Sequence, residues 1–168
     1  AGSEPQRAGL SYLIGHPMQP GPWQEAVTGH GAIINLAGAS IFSRWTPAYK
    51  QLLRDSRMQT TRNLVNALPA KGGERVSFFS TSAVGYYGFH GDEELVESAP
   101  AGSDFLAVLA RDWEAEAMRA ADRDARVVVT RFGIVLGKNG GALGQMIPLF
   151  RKFLGGPLGS GRQWFSWV

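Results

Sequence analysis

Three hydroxyl side chains, Ser80, Thr81 and Ser82, lead into two adjacent phenols, Tyr86 and Tyr87, in the stretch STSAVGYYG. A hydroxyl both donates and accepts hydrogen bonds, so the segment is equipped to hold a polar ligand. A phenol can pass a proton when a cation sits beside it, and Arg131 is the candidate cation. A relay built from Tyr86 or Tyr87 with Arg131 is an expectation from position alone. The plainer alternative is that both rings stack on ligand or core. Other chemistry is closed off. The chain has no cysteine, which excludes disulfides, thiolate nucleophiles and cysteine zinc sites. His16, His30 and His90 lack metal-ligand spacing, so no metal is expected. GKNGGALG (137–144) follows a strand-like run, but its glycines do not match G-x-G-x-x-G, no acid follows to hold a ribose, and the Lys-Ser/Thr end of a P-loop is missing. It reads as a helix-capping turn whose N–H groups could face an anion.

Residues of this kind act only if strands and helices bring them together. GAIINLAGAS (31–40), RVSFFSTSA (75–83) and ARVVVTRFGIVLG (125–137) read as strands; the first is apolar on both faces and the last rich in β-branched residues. LSYLIG (10–15) could be another strand, and GPW (21–23) a turn before a short helix. Thr46-Pro47 caps a helix over 47–68, with Tyr49, Leu52, Leu53, Thr60, Leu64, Val65 and Leu68 at helical spacing. Ser103 is expected to cap a second helix, whose Phe105, Leu109, Trp113 and Ala117 share a stripe, and a third helix spans about 142–153. Strand, helix, strand, helix, strand, each strand buried on both faces, predicts an α/β fold with a parallel sheet and helical crossovers. Ligands collect beyond the carboxyl ends of such strands. NLAG, STSAVGYYG and RFGIVLG then line one crevice.

A chain of 168 residues with a 44% apolar fraction supports one domain with a real core. Net charge is only +3, but six cations and no acid follow Asp124, which could draw a phosphorylated ligand or simply form a solvated face. No apolar run approaches the roughly 18 residues of a membrane span and no signal peptide opens the chain, so a cytoplasmic protein without a membrane partner is expected.

NLAGASI, SRMQTTRNLV, STSAVGYYG, FLAVLARDWE, VVVTRFGIVLGKNGGAL and LGGPLGSGRQWFSWV, in that order, resemble the extended short-chain dehydrogenase/reductase superfamily. More narrowly they resemble its atypical NAD-dependent epimerase/dehydratase-like group. The resemblance covers residue 31 to the end. It implies a Rossmann-like sheet, incomplete at both ends: residues 1–168 as a partial NAD(P)-binding domain, with about 154–168 starting the substrate-binding region. It also implies a missing N-terminal glycine-rich loop. GSEPQRA (2–8) looks like the segment after the family's second strand, where Ser3 replaces an arginine suited to a 2′-phosphate, which leaves NAD and NADP both open.

By resemblance, Leu36, Ala37 and Gly38 approach the adenosine and pyrophosphate, Ser80, Thr81 and Ser82 lie beneath the nicotinamide ribose, and Gly133, Ile134 and Val135 pack on the nicotinamide face. Ser82 matches the serine that bonds the substrate oxygen, and Arg162 and Gln163 are candidate substrate-phosphate contacts. The family's YxxxK positions fall on Phe105 and Leu109, which cannot move a proton, so Tyr86 and Tyr87 are the substitutes considered. Arg57 stands where relatives often carry asparagine; Trp113 is expected to pack and Glu114 to serve as a hydrogen-bond partner. The implied function is an NAD(P)-binding epimerase-, dehydratase- or reductase-like enzyme acting on a small polar molecule such as a nucleotide sugar. A dinucleotide-binding sensor that has lost catalysis is the alternative. No recognition motif supports nucleic-acid binding, and self-association into a homo-oligomer stays open.

Overall fold

The computed structural model describes residues 9–73, 75–138, 140–157 and 159–168, so GSEPQRA (2–8), with Ser3, lies outside the described residues. Strands β1 (Ala32–Asn35), β2 (Ser77–Ala83) and β3 (Arg126–Phe132) form one sheet in the order β1-β2-β3. Both pairings are parallel: Asn35 lies beside Ser80, and Ala83 beside Phe132. Parallel neighbours need crossovers, which α1 (Pro47–Ala67) and α2 (Phe105–Met118) supply. The helices pack on each other and on one face of the sheet, where Phe78 of β2 is fully enclosed by Val65, Leu68 and Ala117 among others. Leu53, Met58, Leu109 and Trp113 form a second cluster between the helices. This is the Rossmann-like arrangement that the alternation of strands and helices foretells.

Helix α1 starts where Thr46 Oγ1 accepts the Tyr49 N–H at 3.2 Å, with Pro47 in the first turn. Helix α2 is capped by Asp104, not by the expected Ser103. Asp104 Oδ1 accepts the N–H groups of both Leu106 and Ala107, and two acceptor contacts from a carboxylate outweigh a hydroxyl one residue earlier.

Two other expectations are corrected. Residues 10–15 form no strand; they run exposed, with Ile14 100% accessible, because among the described residues nothing offers them a neighbour's N–H and C=O groups. Among the described residues β1 is also not covered on both faces. Both helices lie on one side, leaving Ile34 66% exposed on the other. The short helix after GPW is a 3₁₀ turn, Pro22–Val27, whose Val27 joins the core.

Beyond β3 the chain passes through α3 (Gly141–Arg151) and returns. Ile134 N–H donates to the Ser166 carbonyl, and Leu136 N–H to that of Val168, at 2.8 and 2.9 Å. A short parallel bridge thus joins Ile134 to Trp167. No helix among the described residues is long and apolar enough to cross a membrane.

Candidate functional site

Parallel strands share a direction, so all three carboxyl ends emerge along one edge of the sheet. Gly38 follows β1, Ser82 closes β2, and Gly133 follows β3. Ser82 pairs in register with Arg131, which sets the β2 and β3 tips level.

At that level lies a polar cluster. The Ser82 hydroxyl, 2% exposed, donates to Glu114 Oε1 at 2.5 Å. Glu114 comes from α2, one residue past the core-facing Trp113. Arg131 of β3 grips both its oxygens: Nε donates to Oε1 and Nη2 to Oε2, each at 2.8 Å. A planar fork on a carboxylate is a strong, directional contact. The remaining arm, Nη1, donates to the Tyr87 hydroxyl oxygen and to the Glu97 carbonyl, both at 2.9 Å. The Arg131 guanidinium lies 3.5 Å from the Tyr86 ring centroid, and the two tyrosine rings meet edge to face. Arg131 holds its proton more firmly than an ordinary guanidinium, chiefly because of the Glu114 hydrogen bond.

The donor directions define what each group can offer. Arg131 donates into the Tyr87 oxygen, so the phenolic hydrogen of Tyr87 is free to point elsewhere. Ser82 spends its hydrogen on Glu114, which leaves its oxygen as an acceptor. The expected meeting of Arg131 with a phenol occurs at Tyr87; Tyr86 receives the cation on its ring face. Of the two residues that the resemblance sets at the YxxxK positions, Leu109 is buried in the core and Phe105 meets Trp45 edge to face.

The turn bearing the tyrosines, Val84–Tyr87, is held by the loop that follows. Gly102 N–H donates to the Tyr86 carbonyl, and a Cβ on Gly102 would stand 2.6 Å from the Tyr87 carbonyl oxygen, so only glycine permits this crossing. His90 adds a tie, with Nδ1 2.6 Å from Glu93 Oε1 and Nε2 2.8 Å from the Tyr87 carbonyl.

The other expected residues are placed as follows. Leu36 is exposed, Ala37 N–H donates to Asn35 Oδ1, and Gly38 lies against the Arg57 guanidinium. Ser80 points to the helix side and is 1% exposed; Thr81 points to the opposite face of β2. Neither hydroxyl has a hydrogen-bond partner among the described residues. A Cβ on Gly133 would meet the Ser166 carbonyl oxygen at 2.6 Å, so the chain's own tail uses that space; Ile134 and Val135 continue beside the same tail. Arg162 and Gln163 are on the exposed tail, and the neighbouring Trp164 donates to Asp92 Oδ1.

One buried group went unread in the sequence. Thr61 Oγ1, inside α1, accepts from both Asn35 Nδ2 and Trp113 Nε1 at 2.8 Å, tying the β1 tip to both helices. The available signal was a lone asparagine inside the apolar run AIINLAG. Among the described residues no His/Asp/Glu group could hold a metal. A dinucleotide fits what is present in two respects: the small-residue β1 tip is open to close approach, and Thr81 Oγ1 is a buried polar atom without a partner.

Comparison with known proteins agrees with the fold. The model of the NAD dependent epimerase/dehydratase family matches residues 8–168. An epimerase family protein of Arabidopsis thaliana, a chloroplastic SDR39U1 homolog, is 46% identical over 149 residues, which are 87% of this chain and 42% of that protein. The chain therefore spans less than half the length of that relative. The human epimerase family protein SDR39U1 (isoform 2), solved with NADPH, superimposes with a TM-score of 0.75 at 35% identity, over 89% of this chain and 55% of that one. A nucleoside-diphosphate sugar epimerase from Corynebacterium glutamicum gives a TM-score of 0.75 at 34% identity, over 98% of this chain and 34% of that one.

Proposed function

Since the chain belongs to the NAD dependent epimerase/dehydratase family, we propose that it forms the cofactor-binding part of an enzyme that uses NAD or NADP on a small polar substrate, such as a nucleotide-linked sugar. The observation that carries this reading is the Ser82–Glu114–Arg131–Tyr87 cluster at the level strand tips. NADPH in the human relative and the name of the Corynebacterium relative support the choice of ligand classes.

Leu36, Ala37 and Gly38 would take the adenosine and pyrophosphate side, Thr81 with the Ser80 backbone the ribose, and Gly133, Ile134 and Val135 the nicotinamide side. When bound, the nicotinamide ring supplies a site that takes up or returns a hydride. The protein's share is to orient and to move a proton. Ser82, its hydrogen committed to Glu114, accepts from a substrate hydroxyl. Tyr87, held by Arg131, exchanges a proton with that substrate oxygen, and Tyr86 packs the guanidinium in place. Arg162 and Gln163 would reach a substrate phosphate from the tail.

The test uses the full-length protein with a panel of nucleotide sugars and small carbonyl compounds. Tyr87→Phe and Ser82→Ala should each lower kcat on the order of 100-fold, the scale of lost general acid–base help, while NADPH affinity measured by fluorescence stays near wild type. Unchanged turnover in Tyr87→Phe removes that residue from the mechanism. A second reading, a dinucleotide sensor without catalysis, is favoured by Phe105 and Leu109 at the proton-transfer positions; tight NADPH binding with no turnover across the panel would establish it.

A further inference from the structure

We propose that Arg57, with Lys50 two turns earlier on the same helix, forms an oxyanion subsite at the tip of β1 that binds a phosphate or carboxylate group of the ligand. This deepens the cofactor reading and rests on it for the ligand's identity, but not for the site's existence.

The arginines facing the α1–α2 seam differ in how they are satisfied. Arg54 pairs with Asp112, and Arg62 with Glu116. Arg57, on the same helix, has no carboxylate partner among the described residues. Its Nη1 donates to two carbonyls, Ala39 at 3.2 Å and Leu53 at 3.1 Å, and no acceptor among the described residues engages Nε or Nη2. The group is half-buried, with its guanidinium 5.2 Å from the Trp113 ring centroid. Burial lowers its pKa, the Tyr49 hydroxyl acting weakly the other way. A cation partly stripped of water, with spare donors and no anion, gains from an anion that arrives.

The surroundings hold it ready. A Cβ on Gly38 would lie 3.0 Å from the Arg57 guanidinium carbon, so the glycine leaves room for the fork at the exposed strand tip. Ala39 N–H donates to Ser56 Oγ at 3.0 Å, fixing the loop on α1 beside it. Two turns earlier, Lys50 Nζ lies 5.0 Å from the Phe105 ring centroid and has no acid partner among the described residues. Two cations of α1 thus sit over α2 aromatics, and Arg57 is the one that stands against the β1 tip. A guanidinium fork matches two oxygens of a phosphate or carboxylate.

The probes are inorganic pyrophosphate, titrated calorimetrically into the full-length protein with and without saturating NADPH, and NADPH itself, followed by fluorescence. Arg57→Met should weaken pyrophosphate binding at least roughly tenfold, the scale of a lost charge-assisted contact. Arg57→Lys, which keeps the charge and stem, should fold normally and fall between. If NADPH displaces pyrophosphate and Arg57→Met also loses NADPH affinity, the oxyanion is the cofactor's. If pyrophosphate still binds the NADPH-saturated protein in an Arg57-dependent way, it is the substrate's. Pyrophosphate binding without NADPH binding would sink the cofactor reading and leave the subsite standing. Pyrophosphate binding unaltered in both variants, or none to wild type, overturns the subsite.

Discussion

Glu114 accepts from Ser82 and twice from Arg131 while its side chain is only 12% exposed. An amide in its place would turn one acceptor into a donor facing donors. Glu114→Gln should therefore cost about 2–4 kcal/mol, below the upper range for a broken buried pair because Arg131 keeps its Tyr87 and Glu97 contacts. Urea unfolding would measure it, and a loss under about 0.5 kcal/mol would mean that the cluster is not holding the fold. At this scale the sequence was readable where chemistry and position coincide. Ser82, Tyr87 and Arg131 stand at strand ends, and strand ends follow from the apolar runs before them. The bonding among Asn35, Thr61 and Trp113 was not readable, because each lies on a different element and no local spacing joins them. The same holds for Arg57, whose distinction from Arg54 and Arg62 is the acid it lacks among the described residues.

Between residues and the whole lie the helix starts and the loop over the tyrosines. Asp104 supplies two acceptor contacts to the first turn of α2 and Ser103 supplies none. Asp104→Ala should lower thermal stability by about 1 kcal/mol, and Ser103→Ala should leave it within experimental scatter. Sequence reading placed this start one residue early, since either residue type caps well and only the backbone angle decides. The 88–102 loop carries a pH-sensitive tie. Both partners of His90, the Glu93 carboxylate and the Tyr87 carbonyl, are acceptors, so only the doubly protonated ring satisfies both. Its pKa is raised above 6.5, by Glu93 first and the Tyr87 carbonyl second. Glu93 is lowered below 4.5, by its own backbone N–H first and His90 second. The His90 contribution is full below pH 6.5 and fades as pH rises through its folded value; that of Glu93 is full above pH 4.5 and fades as pH falls through its own. An NMR titration should show the His90 ring titrating above 6.5, and Glu93→Gln should bring it back toward that value. Titration at or below 6.5 in the wild type would remove the tie.

Over the whole molecule, the alternation of element types was enough to foretell a parallel sheet with helices, because a parallel pair cannot be joined without a crossover. Which face the helices cover was not legible. Apolar runs such as AIINL look buried on both sides, yet both crossovers fall on one side and Ile34 remains open. The segment 10–15 shows the matching limit: its pattern suits a strand, but a strand exists only beside another.

The sheet order has a kinetic corollary. Each strand pairs with the next strand along the chain, yet each ladder joins segments separated by an entire helix. Non-local pairing makes loop closure precede its reward, which slows folding relative to helical domains of similar size. Helical turns of α1 and α2 can flicker into being early, but Ser82 meets Arg131 only after the β2–α2–β3 crossover has closed. The Ser82–Glu114–Arg131 cluster therefore has no rehearsal stage in the isolated helices: that closure assembles it, or nothing does.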